Sequence, residues 1–257
     1  MTDTGHDALF GGRVVLRQPA RGEGYRANID ALLLAAFACH GRRAKLAFDL
    51  GAGAGAIALS LLHWDAVERV VLVEVDRIAG DAAQANLDDN GWGNRGEVVC
   101  ADVRGLRGRM GGADLVVCNP PYVPPGKGRL PPRPERARAR SGELTHFTTA
   151  ARAVLGKRAR ACFVYPAHGV GALWTCLSEA GLVPKRMRAV HPDEKTPARI
   201  VLVEAHPGKP GGLVVSPPLF ERDDSGYTSE VASLLRGALI APPRTSDRGR
   251  SRKPHAR

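Results

Sequence analysis

Aromatic residues, closely spaced cysteines and long apolar runs are scarce in this chain of 257 residues. Aromatic side chains make up 5% of it, so a core drawn from its 44% hydrophobic residues is expected to be mainly aliphatic. The longest apolar run, residues 31–39, is too short to span a bilayer, and the first residues lack the layout of a signal peptide. We therefore expect a soluble cytoplasmic protein with no membrane contact.

The cysteines are five in number and lie far apart, without a Cys-x-x-Cys pair. An odd number of widely spaced cysteines does not indicate a disulfide framework or a zinc site. Cys100, Cys118 and Cys162 lie in strand-like runs. We expect all five to be reduced core residues, and we expect no metal site; they are Cys39, Cys100, Cys118, Cys162 and Cys176.

Positive charge is in excess, with a formal net charge of +11 and a sequence pI of about 10.0. This balance is typical of a protein with an anionic partner such as nucleic acid. One basic run begins at Lys127 and ends at Arg140, and another occupies the tail, residues 240–257, which we expect to be disordered. Both runs are candidate phosphate contacts, although basic runs can also serve only to keep a protein in solution.

Apolar runs of strand length alternate with helical segments along most of the chain, as is typical of an α/β fold. Residues 1–12 are expected to be flexible, residues 13–44 to form a strand-and-helix extension, and residues 124–141 to form a basic loop within a domain that ends at residue 239. The last two long strands are expected to pair antiparallel. The predicted strands are residues 13–17, 45–50, 70–74, 96–101, 115–118, 159–165, 183–190, 199–204 and 213–216, and the predicted helices are residues 31–39, 56–63, 78–90, 144–155, 169–180 and 229–239.

A glycine-rich turn follows the strand that ends with Asp49 and a leucine. Gly51, Gly53 and Gly55 allow a sharp turn from strand to helix and leave room for a ligand against the backbone. Such a turn is a weak signal alone. Glu74 ends the next strand about 20 residues further on, where a carboxylate can accept hydrogen bonds from ribose hydroxyls. The dinucleotide pattern Gly-x-Gly-x-x-Gly is absent.

The sequence Asn119-Pro120-Pro121-Tyr122 ends another buried strand. The prolines predict a stiff extended loop at the carboxyl end of the sheet, where open α/β sheets bind ligands. The Asn119 side-chain oxygen and the Pro120 carbonyl are two acceptors, which suit one NH2 group, and Tyr122 offers a face for stacking on a planar group. The alternative is a tight turn after a core strand, in which Asn119 satisfies only backbone groups.

The glycine turn, directly preceded by Asp49-Leu50, resembles the S-adenosylmethionine site of Rossmann-like methyltransferases. The resemblance implies a seven-stranded sheet with an antiparallel last strand and helices on both faces. It also implies that the three glycines flank the amino acid part of the cofactor and that Glu74 holds the ribose. Asp102, which follows the third strand, would accept from the adenine amine; as a bare residue it could equally be a helix N-cap.

Together with the Asn119 to Tyr122 sequence, these features resemble the bacterial tRNA1(Val) adenine-N6 methyltransferase family over about residues 14–236. The resemblance implies S-adenosylmethionine as cofactor, tRNA as substrate, and a segment around Asp30 that folds over the cofactor pocket. The family usually has Ala-Arg-x-Glu after the prolines, and the segment here, Ala-Arg-Ser-Gly-Glu at residues 139–143, is one residue longer. The other matching segments are residues 24–26, 29–34, 213–215 and 227–231.

Other activities share the Asn-Pro-Pro-Tyr sequence. In protein glutamine-N5 methyltransferases a helical domain of about 70 residues precedes the sheet, whereas here 44 residues precede Lys45, at the start of the first strand of the sheet. DNA adenine methylases need a target-recognition domain that no stretch here provides. Guanine-N2 methylation of RNA and a non-catalytic RNA-binding module remain as alternatives. We expect a monomer, and we assign no role to the histidines at positions 63, 146, 168 and 191.

Overall fold

The computed structural model describes residues 6–18, 29–106, 111–121, 134–208 and 211–239. Tyr122, the first residues of the basic run that begins at Lys127, and the tail 240–257 lie outside the described residues. The same holds for residues 24–26, which carry part of the family resemblance. Within the described part of the chain, no helix is long and apolar enough to cross a membrane.

Thirteen strands are present in the described residues. They are β1 (His6–Leu9), β2 (Val14–Arg17), β3 (Ala44–Leu50), β4 (Val67–Glu74), β5 (Gly96–Cys100), β6 (Ala113–Cys118), β7 (Leu155–Pro166), β8 (Leu182–His191), β9 (Ile200–Pro207), β10 (Val214–Val215), β11 (Leu219–Phe220), β12 (Arg222–Asp223) and β13 (Gly226–Tyr227).

Six α-helices are present in the same ranges. They are α1 (Ile29–Ala38), α2 (Ala56–His63), α3 (Arg77–Asp89), α4 (Pro134–Val154), α5 (Val170–Glu179) and α6 (Ser229–Leu235). Helix α2 has the predicted bounds. Helix α4 begins ten residues before its predicted start, so the expected loop at 134–141 is wrong. Ser141 and Gly142 are weak helix formers, but a proline at the first helical position favours a helix start.

The central sheet has the strand order β10-β8-β9-β7-β6-β3-β4-β5, and β11 also pairs with β8. Strands β3 to β7 pair in parallel, whereas β9 is antiparallel to both β7 and β8. The predicted sheet of seven long strands with an antiparallel last strand is therefore confirmed. The antiparallel strand β9 inserts between β7 and β8.

The core lies on both faces of this sheet. Along β6, Leu115 and Val117 pack with α1 and α2 on one face, and Val116 and Cys118 pack with α4 and α5 on the other. All four are fully buried, as expected of a strand covered on both faces. Cys100 is an exception to the expected burial of the cysteines: it is exposed because β5 is the edge strand and has a neighbour on one side only.

A buried ion-pair network connects α1 with the C-terminal part of the chain. Asp30, in the first turn of α1, is fully buried, and its Oδ1 lies 2.5 Å from Nη2 of Arg199. The same guanidinium is bound to the carboxylate of Glu221, just after β11. A fully buried carboxylate needs such a partner because its hydration is lost on folding. Arg199 therefore fixes helix α1 against the segment that carries β11.

Replacement of Arg199 by leucine is expected to lower the free energy of unfolding by about 3 to 5 kcal/mol, because it removes the cation that compensates the buried charges of Asp30 and Glu221. Urea titration followed by circular dichroism measures this loss. Arg43→Leu is the matched control, since the ion pair of Arg43 with Asp65 at 2.7 Å is exposed, at 44% and 62% of the side chains. That variant should lose less than about 1 kcal/mol. Equal losses would contradict the role given to Arg199.

Candidate functional site

A cavity of about 580 Å³ lies at the carboxyl ends of the parallel strands. Four segments that follow β3, β4, β5 and β6 form its walls, and helices α1 and α4 close it. The lining residues are Ala31, Gly51, Ala52, Gly53, Ala54, Ala56, Ile57, Val73, Glu74, Val75, Asp76, Ile78, Ala79, Ala101, Asp102, Val103, Arg104, Asn119, Pro120, Pro121, Glu143, His146 and Phe147.

The glycine turn forms one wall of this cavity. Its three glycines have positive φ angles, +71° at Gly51, +54° at Gly53 and +87° at Gly55, which residues with a side chain rarely adopt. A Cβ on Gly55 would lie 2.9 Å from Cδ2 of Leu72, whereas nothing lies within 4 Å of a Cβ built on Gly53. Gly55 therefore packs closely against Leu72, and Gly53 leaves open space against the backbone.

Glu74 joins the turn to the end of β4. The residue is 9% exposed, and its carboxylate accepts three backbone hydrogen bonds. Oε1 accepts from the N–H groups of Val75 at 2.8 Å and Asp76 at 2.9 Å, and Oε2 accepts from Gly53 at 2.7 Å. A carboxylate has about four lone-pair sites, so one acceptor position on Oε2 is left for a ligand hydroxyl.

Asp49 lies behind the turn and is completely buried. Its Oδ2 accepts from the N–H of Ala58 at 3.2 Å, near the start of α2, where the N-cap position is Gly55 and offers no side chain. Within the described part of the chain, its Oδ1 has no hydrogen-bond partner. Burial raises the pKa of Asp49 to about 7, the Ala58 N–H opposes this effect, and the charge of Glu74 adds to it.

Asp102 follows β5, the strand next to β4, and is bound by a neighbour. It is the N-cap of a short 3-10 turn, Val103–Gly105, and its Oδ1 accepts from the N–H of Arg104 at 2.8 Å. The Arg104 guanidinium binds Oδ2, with Nε at 2.8 Å. Bonding to Arg104 lowers the pKa of Asp102 to about 2. The carboxylate thus has the N-cap role that its position allowed, and Asp102 also lines the cavity.

The segment from Asn119 to Pro121 leaves β6 at the cavity. Asn119 is half-buried, Pro120 is buried, Pro121 is exposed, and all three line the cavity. The pairing of β3 with β6 aligns Leu50 with Cys118. Neighbouring strands lie about 4.8 Å apart, so Gly51 and Asn119, the next residues, leave the sheet side by side.

Sequence reasoning missed the contribution of α4. Glu143, His146 and Phe147 line the cavity, and the charge of His146 contributes to the lowered pKa of Asp102. A Cβ on Gly51 would lie 3.1 Å from Cε1 of Phe147. A signal for these residues was available, because a right-handed crossover from β6 brings the following helix back over the carboxyl end of that strand.

Asp30 was expected near the cofactor pocket and lies beside it. Its neighbour Ala31 lines the cavity, whereas Asp30 is not one of the described residues of the wall. The carboxylate of Asp30 is instead bound to Arg199. The described residues contain no cluster of three or more histidine, cysteine, aspartate or glutamate side chains suited to hold a metal ion.

Comparisons with known proteins agree with this geometry. A family model described as the methyltransferase small domain matches residues 28–129. A tRNA1(Val) (adenine(37)-N6)-methyltransferase from Shewanella halifaxensis is 27% identical over 227 residues, which cover 82% of this chain and 91% of the relative. One of the same name from Shewanella amazonensis is 30% identical over 191 residues, covering 70% and 78%. A solved structure of a predicted O-methyltransferase from Agrobacterium tumefaciens has the same fold, with a TM-score of 0.67 at 24% identity, and covers 84% of this chain and 99% of that one.

The chain is therefore an S-adenosylmethionine-dependent methyltransferase with a Rossmann-like fold. The cavity suits this cofactor: its volume is in the range of pockets that bury small ligands, Gly53 leaves the backbone accessible, and Glu74 retains an acceptor for a hydroxyl. The chain belongs to the tRNA1(Val) adenine-N6 methyltransferase family. The predicted family, enzyme class and cofactor are confirmed.

The buried carboxyl of Asp49 makes folding stability depend on pH. Its pKa in the folded protein, about 7, is higher than the ordinary aspartate value of 3.8, so the folded state retains a proton that the unfolded chain releases between these values. The stability of the wild type should therefore fall as pH rises from about 4 to about 7. Asp49→Asn removes this titration. The free energy of unfolding of the variant minus that of the wild type should be about 2 to 3 kcal/mol higher at pH 8 than at pH 5.

Urea titrations of both proteins at the two pH values measure this difference. The comparison across pH cancels any pH-independent cost of the asparagine. The same difference at pH 5 and pH 8 would mean that Asp49 is already ionised in the folded protein at pH 5.

Proposed function

We propose that this enzyme methylates the exocyclic N6 amine of an adenine in tRNA. The curated relatives that match most of the chain carry that activity in their names. The excess of positive charge suits a polyanionic substrate, and the exposed Arg104 lies on the cavity wall. The basic run from Lys127 to Arg140 and the tail are proposed as further phosphate contacts.

The observation that carries the proposal is the adjacency of Gly51 and Asn119. Gly51 would border the amino acid part of the cofactor, and Asn119 begins the Asn-Pro-Pro loop. The two residues leave neighbouring strands at the same level. An amine held by Asn119 would lie close to the methyl donor. Such positioning can supply a large part of the rate enhancement of a two-substrate reaction.

The proposed chemistry needs no strong base. S-adenosylmethionine supplies a methyl group on a positively charged sulfur. Asn119 Oδ1 and the Pro120 carbonyl accept hydrogen bonds from the two N–H groups of the adenine amine. These two hydrogen bonds draw the nitrogen lone pair out of conjugation with the ring. Pro121 keeps the loop stiff, and Tyr122 stacks on the base, which must be flipped out or already unpaired. The methylated amine then loses its extra proton to water.

The cofactor contacts proposed for the same cavity follow the family resemblance. Gly51 and Gly53 border the amino acid part, Gly55 is not one of the described residues that line the cavity and packs behind the turn, and Glu74 binds the ribose through the acceptor position left on Oε2. Asp102 accepts from the adenine amine, for which part of its bonding to Arg104 has to open. Asp49 supports the turn from behind, and Asp30 keeps α1 in position beside it.

Nucleoside mass analysis tests the substrate. Bulk tRNA from a strain that lacks this modification is incubated with the purified protein and methyl-labelled S-adenosylmethionine, and labelled N6-methyladenosine is the expected product. Label in guanosine would overturn the choice of base and favour guanine-N2 methylation. Absence of label from RNA, together with label in a protein glutamine, would overturn the substrate class.

Asn119→Ala should lower kcat by roughly 10² to 10³ at unchanged cofactor affinity, because it removes one of the two acceptors that position the amine. Single-turnover methylation of tRNA measures the rate, and calorimetric titration with S-adenosylhomocysteine measures the affinity.

Glu74→Ala is the matched comparison for Asn119→Ala. It removes the proposed ribose contact and the acceptor of the Gly53 N–H, so it should weaken the binding of S-adenosylhomocysteine while a saturating cofactor concentration restores much of the turnover. Normal turnover in Asn119→Ala would contradict the proposed acceptor pair. Normal affinity in Glu74→Ala would contradict the proposed cofactor site.

A further inference from the structure

Asn86 in the last turn of α3 and Asn90, the residue that caps the end of that helix, hold the outer edge of strand β2. The side chain of Asn90 accepts from the N–H of Val15 and donates to its carbonyl, both at 2.9 Å. The side chain of Asn86 accepts from the N–H of Arg17 at 2.6 Å and donates to its carbonyl at 3.0 Å. The two amides thus replace a neighbouring strand for the hairpin formed by β1 and β2.

Each side chain makes a third bond, and the two differ: the Asn90 amide donates to the Asn86 carbonyl at 2.7 Å, whereas Asn86 reaches the glycine turn. Its second N–H donates at 2.9 Å to the carbonyl of Ala54, which lies between Gly53 and Gly55 in the glycine turn and lines the cavity. Asn86 is fully buried, and both N–H groups and the oxygen of its side chain are engaged. A single amide therefore joins the N-terminal hairpin to the turn.

We propose that Asn86 is a positioning residue that couples the docking of the N-terminal hairpin to cofactor binding. The inference rests on the proposed cofactor site, because it takes the glycine turn as part of that site. Asn86 touches neither substrate nor cofactor. It acts through the Ala54 carbonyl, which fixes the Ala54–Gly55 peptide of the turn, two peptide units along the chain from the Gly53 N–H that binds Glu74.

The physical basis is the cost of a buried carbonyl that loses its donor. Ala54 is 8% exposed, so water does not readily replace the Asn86 amide. Without that bond the turn can relax away from the geometry in which Gly53 meets Glu74. By linkage, a ligand that favours the ordered turn must also favour the hairpin that shares Asn86 with it.

Asn86→Ala and Asn90→Ala form a matched pair, since each removes two hydrogen bonds to β2 and only the first removes the bond to Ala54. Calorimetric titration with S-adenosylhomocysteine should show roughly tenfold weaker binding in Asn86→Ala and less than about twofold change in Asn90→Ala, although urea titration shows that both are destabilised. Equal affinities for the two variants would overturn the proposal, because a merely structural role would act alike in both.

Hydrogen exchange of the wild type tests the coupling without a variant that could fail to fold. Saturating S-adenosylhomocysteine should slow exchange of the Arg17 amide more than exchange of the Val190 amide in β8, far along the sheet from α3. Equal slowing at both positions would indicate only global stabilisation and would overturn the coupling.

The variant Glu74→Ala separates this proposal from the one on which it rests. Weakened binding in Glu74→Ala with normal binding in Asn86→Ala would overturn the coupling alone. Normal binding in Glu74→Ala would overturn the cofactor site, and with it the reason to expect an effect from Asn86.

Discussion

The carboxylate of Glu74 is the interaction on which the ligand-binding edge of the sheet depends. The register of β3 and β4 aligns Leu50 with Val73, so the acid that ends one strand reaches the turn that follows the other. It accepts from Gly53 in that turn and from two N–H groups at the start of the connection to α3. Glu74 is buried to 9% exposure, and its carboxylate is stable there because three hydrogen bonds from backbone N–H groups replace much of its hydration.

The same edge of the sheet contains a second buried carboxyl group, that of Asp49. Asp49 is completely buried and close enough to Glu74 for the two charges to interact. It also supplies an acceptor near the start of α2, where Gly55 has no side chain to offer. One residue thus stabilises the helix start behind the turn that Glu74 holds from the front, at the cost of a raised pKa.

The segments at the two ends of the domain are attached close to this edge. The N-terminal hairpin is held through α3, whose Asn86 also reaches the glycine turn. The C-terminal part is held through Arg199, which binds both Asp30 and Glu221, while Ala31 next to Asp30 lines the cavity. These attachments give a structural reason for the family resemblance to extend beyond the glycine turn and the Asn-Pro-Pro sequence.

The sequence by itself determined the succession of strands and helices along the chain and the glycine turn. It also determined the acids that end β4 and follow β5, and the abrupt end of β6 at Asn119. Each of these features depends on residues that are neighbours in sequence. Only the tertiary structure decided the start of α4, the exposure of Cys100 on an edge strand, and the parts taken by Asn86, Phe147 and Arg199. Asn86, Phe147 and Arg199 contact residues that lie about 30 to 170 positions away in the sequence. These contacts form only when the sheet and its helices have packed, and no local pattern encodes them.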